Sequence, residues 1–132
     1  MPLTDNQQRV LNTLQQAQRP LSAYALLDIL RAQGLRAPAQ VYRALERLVQ
    51  QGLVHRLETL NAYVTCNHPR DCRNGGVTAF AICDSCGHID EIVDIDLGNC
   101  LGRWVKHSAF AMRDSTIELR GTCAGCQRAS AN

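Results

Sequence analysis

Two pairs of cysteines with the spacing Cys-x-x-Cys constrain the fold of this chain more than any other feature. The pairs are Cys83 with Cys86, and Cys123 with Cys126. Two thiolates on one tight turn can hold a metal ion, and two such turns complete a closed tetrahedral site of four sulfurs, a common form of structural zinc. Because the gap between the pairs is long, we expect a helix and strands to lie between the two turns. The spacing predicts a small domain that is stabilised by zinc.

The other cysteines favour metal binding over disulfides. The chain has seven cysteines, an odd number that cannot form a fully paired framework, and clustered thiols in a reducing compartment more often hold metal. A redox-active Cys-x-x-Cys usually has one pair in a thioredoxin-like setting, which is missing. Cys100 lies at helical spacing among Leu97, Leu101 and Trp104, so we expect a buried apolar thiol. His107 is expected at the surface, at a helix end.

Composition predicts a globular, cytoplasmic protein. Hydrophobic residues make up 45% and charged residues 20% of the 132 residues, which is typical of a folded rather than a disordered chain. No apolar run approaches the roughly 20 residues needed to cross a bilayer, and the first residues lack the features of a signal peptide. We therefore expect no membrane association.

Basic residues are unevenly distributed along the chain. Residues 1–60 contain seven Arg and four acidic residues, whereas residues 61–132 contain seven basic and eight acidic residues. Thirteen of the 14 basic residues are Arg, whose guanidinium group suits bidentate contacts with phosphate and guanine. The asymmetry suggests nucleic acid as a partner of the first half, although a charged helix face is more often simply solvated.

Residues 1–66 have the pattern of three short helices followed by a β-hairpin. Apolar residues at helical spacing, with Ser, Pro or Gly at the ends, predict helices at residues 6–17, 22–34 and 38–52. Extended runs at 53–58 and 62–66 surround a turn at Asn61. This order is typical of a winged helix-turn-helix domain, whose third helix enters the major groove of DNA. A small α+β bundle with no nucleic acid partner has the same periodicity.

The remaining residues predict a hinge loop and a second, mixed α/β domain. Residues 67–76 are polar, rich in turn formers and without period, which marks a domain boundary. In residues 77–132 the pattern predicts one helix at 97–106 and four strands, at 78–83, 88–93, 109–113 and 116–120. The fold class is therefore α+β.

The predicted third helix carries most of the candidate DNA contacts. They are the polar side chains outside its apolar stripe, together with one residue of the second helix: Gln40, Tyr42, Arg43, Arg47 and Tyr24. Arg43 is expected to read a guanine edge, because its forked donors match the O6 and N7 acceptors. Tyr24 is placed to reach a phosphate or a thymine methyl, and Tyr42 is equally consistent with packing.

A second set of possible metal donors is scattered around the hinge. It comprises His55, Cys66, His68, Cys72, His88 and Glu91. The predicted hairpin and boundary loop carry the first four, and Glu91 could reach them from the second domain. Mixed nitrogen, sulfur and carboxylate ligands favour zinc over harder ions. Against this, a lone His on a strand is more often an ordinary surface or core residue.

Six segments resemble the ferric uptake regulator family, and most closely its zinc uptake regulator branch. They are Leu3-Thr4 with Arg9-Val10-Leu11, Ser22-Ala23-Tyr24 with Leu26-Leu27-Asp28, Val41–Leu45, Gly52–His55, Asn61–Val64 and Ile82–Gly87. Together they span nearly the whole chain. The Val-Tyr-Arg-Ala-Leu segment followed by a Cys-x-x-Cys-Gly turn is specific as a combination.

The resemblance implies a winged-helix domain at 1–66, a hinge at 67–76, and a dimerisation domain at 77–132 that holds structural zinc. It implies a homodimer with two Zn²⁺ per subunit, one bound by the four paired cysteines and one regulatory. By motif match, the regulatory ligands would include His55, Cys66 and Glu91. The family's fourth ligand is usually a His shortly before the first Cys-x-x-Cys, where this chain has Gly75-Gly76-Val77; we favour Cys72, with His68 as the alternative.

The expected function is that of a zinc-responsive transcriptional repressor, which binds operator DNA as a dimer when zinc is replete and represses zinc uptake genes. No catalytic residues and no small-molecule substrate are expected. One alternative is a regulator of the same family that senses another metal such as iron, although the His-rich run typical of the iron-sensing branch is missing. Others are a zinc-dependent hydrolase or deaminase with Glu91 as acid/base, and a metal buffer or interaction module.

Gln40 stands where the family usually has Thr.

Overall fold

The computed structural model describes residues 2–67, 77–112 and 115–130, which belong to two compact units. The first unit contains residues 2–67 and the second contains 77–112 and 115–130. In these ranges no helix combines the length and the apolar character that crossing a membrane requires. The predicted ligands His68 and Cys72, and the predicted hinge apart from Asn67, lie outside the described residues.

Three helices form the first part of unit 1, and local signals explain where each begins. Helix α1, Asp5–Ala17, starts at a capping box in which Thr4 and Gln7 exchange backbone and side-chain hydrogen bonds. Helix α2, Ala23–Leu30, starts at Ser22, whose Oγ accepts from the backbone N–H of Ala25. A 3₁₀ turn, Arg31–Gln33, continues α2. Helix α3, Pro38–Gln50, has Pro at its first position.

A two-stranded hairpin follows α3. Strand β1, Val54–Leu57, pairs antiparallel with β2, Ala62–Thr65. Asn61 takes a left-handed conformation with φ of 48° at the turn, which Asn tolerates better than most residues. Leu21 adds a bridge outside the hairpin, since its backbone exchanges two hydrogen bonds with Tyr63. These elements confirm the order that the sequence predicted.

The core of unit 1 lies among the three helices and the hairpin. Its most deeply buried side chains are at most 2% exposed and come from all three helices and from β1: Val10, Leu14, Leu26, Leu30, Leu45, Leu48, Val54 and Leu57. Fully burying a side chain of this kind contributes about 1.5–3 kcal/mol. The apolar stripe of α3 is therefore used for packing, which leaves its other face to solvent.

The described residues of unit 2 form a three-stranded sheet with two helices. Its elements are β3, Val77–Cys83; β4, Ile89–Asp94; α4, Ile95–Ser108; β5, Ile117–Gly121; and α5, Ala124–Ser130. The central strand is β3, with β4 antiparallel on one side and β5 parallel on the other. Among the described residues of this unit, every buried side chain lies on β3.

Two predictions for unit 2 are wrong, and one helix was not predicted. Ala109–Met112 do not form a strand: α4 runs to Ser108, and the backbone N–H groups of Ala109 and Phe110 both donate to the Val105 carbonyl as the helix ends. Cys100 is exposed, not buried, because α4 has no buried residue in this chain. Helix α5 is short and carries no apolar stripe, so periodicity gave no signal for it.

Candidate metal centres and nucleic-acid interface

The four paired cysteines lie at one end of the sheet in unit 2. Cys83 is the last residue of β3, and Cys123 follows the end of β5. Strands β3 and β5 are parallel neighbours, with Cys83 opposite Gly121. Both strands therefore end at the same edge of the sheet. Cys86 stands on the turn after β3 and Cys126 in the first turn of α5. The parallel pairing thus brings together two turns that are far apart in the sequence.

The four sulfur atoms are close enough to bind one ion. All four Sγ atoms lie within 4.8 Å of one another, and those of Cys86 and Cys123 are 3.7 Å apart. A tetrahedral zinc with metal–sulfur bonds of about 2.3 Å separates its sulfurs by about 3.8 Å. The donor set and its spacing therefore fit a closed tetrahedral zinc site.

Hydrogen bonds and crowding give the thiols of Cys83 and Cys126 very different acidities. The Sγ of Cys83 accepts from the backbone N–H of Cys123 at 3.3 Å and of Cys86 at 3.5 Å, and these bonds lower the pKa of Cys83 to about 6. The sulfurs of Cys123, Cys86 and Cys83 beside Cys126 raise its pKa to about 12. Four adjacent thiolates repel one another, so full deprotonation requires a cation among them. This requirement is a second sign that the cluster fits a metal.

A second pair of donors belongs to the hairpin of unit 1. His55 is on β1, opposite Val64 on β2, and Cys66 follows β2, where its backbone N–H donates to the Leu53 carbonyl at 2.8 Å. Hydrogen bonding across the hairpin keeps the two residues side by side, with the thiol of Cys66 and the nearest imidazole nitrogen of His55 within 4.8 Å. Both side chains are partly exposed. Nitrogen and thiolate donors together suit zinc, but two ligands do not complete a site.

Two more predicted donors lie in the second unit. Glu91 is on β4 in unit 2, opposite Phe80, and it shares its partly buried face of the strand with Ile89 and Val93. The Nε2 of His88 lies 3.0 Å from a carboxylate oxygen of Asp90, an exposed local pair.

The exposed face of α3 presents the side chains that were predicted to contact DNA. Arg43 and Arg47 are exposed and Tyr42 is 45% exposed, whereas the apolar stripe of the helix is buried. Tyr24 on α2 is 65% exposed. The exposed part of the Tyr42 ring is available to a partner, while the rest of the residue is covered by the chain itself.

Gln40 differs from the other predicted DNA contacts because its side chain caps α3. Its Oε1 accepts from the backbone N–H groups of Arg36 and Ala37. Sequence reasoning assigned Gln40 to DNA alone and missed the cap. The available signal was a Gln at the third position of a helix that begins with Pro38.

The comparisons with known proteins agree on one family. Residues 1–120 match the model of the Ferric uptake regulator family. The chain is 38% identical over 125 residues to the Zinc uptake regulation protein of Escherichia coli (strain K12), covering 94% of this chain and 72% of that protein. The relative of the same name from Shigella flexneri has the same identity and coverage.

Two solved structures share the fold closely. Holo XcZur is 38% identical, with a TM-score of 0.83 over 97% of this chain and 88% of that one. A zinc uptake regulator complexed with zinc and DNA is 34% identical, with a TM-score of 0.86 over 100% of this chain and 87% of that one.

Proposed function

This chain belongs to the ferric uptake regulator family, and we propose that it is a zinc-responsive transcriptional repressor, which binds operator DNA as a dimer when zinc is replete and represses zinc uptake genes. One observation carries the proposal: a helical unit with an exposed arginine face also holds an imidazole and a thiol side by side on its hairpin. The relatives named for zinc uptake regulation, and the relative complexed with zinc and DNA, support it.

Under this proposal, each subunit binds two zinc ions, and one of them is structural. Cys83, Cys86, Cys123 and Cys126 would hold it, and the ion would neutralise the four thiolates and link two distant turns. The residues themselves prepare the site, because the two N–H donors to Cys83 already stabilise one thiolate. This zinc has no open position for a substrate, which agrees with a role in folding rather than catalysis.

We assign the regulatory zinc to His55, Cys66, Cys72 and Glu91, with His68 as the alternative fourth ligand. These donors come from the winged-helix domain, the hinge and the dimerisation domain, so the set is complete in only one arrangement of the domains. High zinc favours the arrangement that binds it more tightly. If that arrangement also binds DNA better, DNA must tighten zinc binding by the same factor.

The side chains of α2 and α3 would make the DNA contacts. Arg43 is assigned to a guanine edge and Arg47 to the phosphate backbone, with Tyr24 and Tyr42 beside them. Phosphate contacts make affinity fall as salt rises, whereas base contacts set the sequence preference. A dimer would present two copies of α3 to two half-sites.

The experiment that tests this function measures DNA binding as a function of free zinc. Fluorescence anisotropy with a duplex from upstream of a zinc uptake gene should show affinity increasing about 5- to 150-fold as the regulatory site fills, the range typical of such coupling. The Cys66→Ala protein should lose this increase while keeping its structural zinc. Thr65→Ala, a neighbouring change that removes no metal donor, should behave as the unchanged chain.

Two results would contradict the proposal. One is an unchanged zinc dependence in Cys66→Ala, which would remove the hinge from the mechanism. The other is equal DNA affinity with and without exchangeable metal. Repeating the titration with Fe²⁺ tests the iron-sensing alternative, which the 38% identity to zinc uptake regulation proteins does not favour.

A further inference from the structure

Gln40 is held at the amino end of α3 in a way that fixes which atom of its amide faces the protein. Its Oε1 accepts from the backbone N–H of Arg36 at 3.1 Å and from that of Ala37 at 3.2 Å. Both partners are donors, so only the amide oxygen can face them; a flipped amide would set N–H groups against each other. The amide nitrogen Nε2, with two N–H donors, is therefore the end turned away from the cap.

The local sequence explains why the oxygen is committed to this role. Ala37 is the N-cap residue of α3 and has no side-chain acceptor, so it cannot satisfy the first N–H groups of the helix. The oxygen of Gln40 satisfies the N–H groups just before the helix, those of Arg36 and the N-cap Ala37, as Gln or Glu at this position of a capping box does for the N-cap N–H. Freeing its oxygen for another ligand would leave the N–H groups of Arg36 and Ala37 without their protein partner.

The position of Gln40 on α3 is the second part of the argument. Gln40, Arg43 and Arg47 are spaced by three and four residues, so they share one face of the helix. Val41, Leu45 and Leu48, which point elsewhere, are fully buried. In the described residues nothing accepts a hydrogen bond from Nε2 of Gln40. Residues in the first turns of a recognition helix are the ones that reach base edges.

We propose that Gln40 determines specificity as a donor only and selects a keto-bearing base, guanine or thymine, in the operator. This inference rests on the proposed DNA-binding function. An unrestrained Gln reads adenine, because its N–H donates to N7 while its oxygen accepts from N6. Here the oxygen is already occupied. A pure donor matches O6 and N7 of guanine or O4 of thymine, whereas it meets the N6 amine of adenine, beside the single acceptor N7, and the N4 amine of cytosine as donor against donor.

The test variant removes the N–H donor of Gln40 but keeps the acceptor that caps α3. Gln40→Glu retains an acceptor for the N–H groups of Arg36 and Ala37 but has no N–H to donate. Zinc-loaded full-length protein and this variant are each used to select duplexes from a randomised DNA library, and the bound fraction is sequenced. At one position of each half-site we expect the unchanged chain to select guanine or thymine, and Gln40→Glu to shift about tenfold towards cytosine or adenine.

Gln33→Glu is the matched control for charge. It adds the same negative charge to an exposed residue of the same unit, outside the face shared by Gln40, Arg43 and Arg47. It should weaken binding to all duplexes alike and leave the base profile unchanged. Equal melting temperatures for Gln40→Glu and the unchanged chain show that the cap survives.

Two selection outcomes overturn the inference about Gln40. They are a base profile of Gln40→Glu that matches that of the unchanged chain at every position, and adenine selected by the unchanged chain at the position that responds. A different outcome rejects the repressor function itself: zinc-loaded unchanged chain that enriches no sequence at all. The enrichment by the unchanged chain and the shift in the variant are therefore independent readouts.

Discussion

The two units of this molecule are stabilised in different ways. Unit 1 buries apolar side chains from three helices and a hairpin, many of them completely. In unit 2 the buried side chains of the described residues all lie on β3, and α4 buries none. Small domains with thin cores usually need a metal, a disulfide or a partner chain. Unit 2 has features suited to two of these: a four-cysteine cluster that fits a metal, and exposed apolar residues that fit a partner chain.

Breaking the cysteine cluster should have the largest effect, and it should be confined to unit 2. In Cys126→Ser we expect zinc loss and unfolding of unit 2, because structural zinc contributes on the order of 10 kcal/mol to folding. Hydrogen exchange of the full chain should show lost protection at Phe80 and retained protection at Leu45. Cys100→Ser, which removes an exposed thiol outside the cluster, should keep both. Equal loss in the two units would show that they do not fold separately.

Removing a core side chain of unit 1 should have the next largest effect. Leu45 is 0% exposed, and Leu45→Ala should lower the free energy of unfolding of unit 1 by about 2–5 kcal/mol through lost burial and a cavity. The free energy of unfolding can be measured by urea denaturation, monitored by circular dichroism at a wavelength that reports helix content. Leu60→Ala removes the same atoms from a hairpin tip that is 43% exposed, so its cost should stay below about 0.5 kcal/mol. Similar costs at the two sites would contradict the assignment of the core.

The two units also differed in how much the sequence could predict. In unit 1 the apolar spacing, caps and turn residues all agree, so α1, α2, α3 and the hairpin were found near their observed bounds. In unit 2 the parallel pairing of β3 with β5 joins residues almost forty positions apart, and no local pattern encodes that choice. Helix α5 has too few apolar residues for a period, and the pattern after α4 predicts a strand that is absent at Ala109–Met112.

The candidate sites do not follow this division between the units: local spacing in the sequence, rather than the unit, decided which of them could be predicted. The Cys-x-x-Cys spacing identified four residues that the structure brings together, because each pair is local and only one partner turn was available. His55 and Cys66 were identified by their hairpin positions and the family resemblance. The cap made by Gln40 required coordinates, since a Gln at the third helical position is also consistent with a free side chain.

The exposed apolar residues of unit 2 lead to a third prediction, of intermediate size. Trp104 is 58% exposed and its ring centre lies 5.6 Å from that of Phe110, which is 56% exposed. Buried aromatic anchors dominate many interfaces, so Trp104→Ala should weaken self-association by about 2 kcal/mol, roughly 30-fold. Sedimentation equilibrium of the zinc-loaded protein measures it.

The matched control for Trp104 comes from unit 1. Ile29 on α2 is 45% exposed, and Ile29→Ala should leave self-association unchanged. Equal weakening by both variants would contradict a dimer formed through unit 2. A zinc-loaded protein that stays monomeric at every concentration would remove the dimer from the proposed function.

The smallest effects should come from two of the side-chain caps, one in each unit, which allow the same change to be compared in both units. Ser22 Oγ accepts from the N–H of Ala25 at 3.1 Å, and Asp94 Oδ1 accepts from that of Leu97 at 2.9 Å. Ser22→Ala and Asp94→Ala should each cost about 1 kcal/mol. Asp94 also carries a negative charge at a helix amino end, which adds about 0.3–1 kcal/mol at low salt.

Salt dependence distinguishes the contributions of the two caps to stability. Only Asp94 has a charge, and salt screens the interaction of that charge with the helix end. The cost of Asp94→Ala, measured by hydrogen exchange in unit 2, should therefore shrink as salt rises, whereas that of Ser22→Ala in unit 1 should not. Ser22→Thr and Asp94→Asn keep a side-chain acceptor and should recover most of the loss. If Asp94→Ala costs nothing until zinc is removed, then the metal alone sets the stability of unit 2, and the contrast between the units is sharper than the buried area implies.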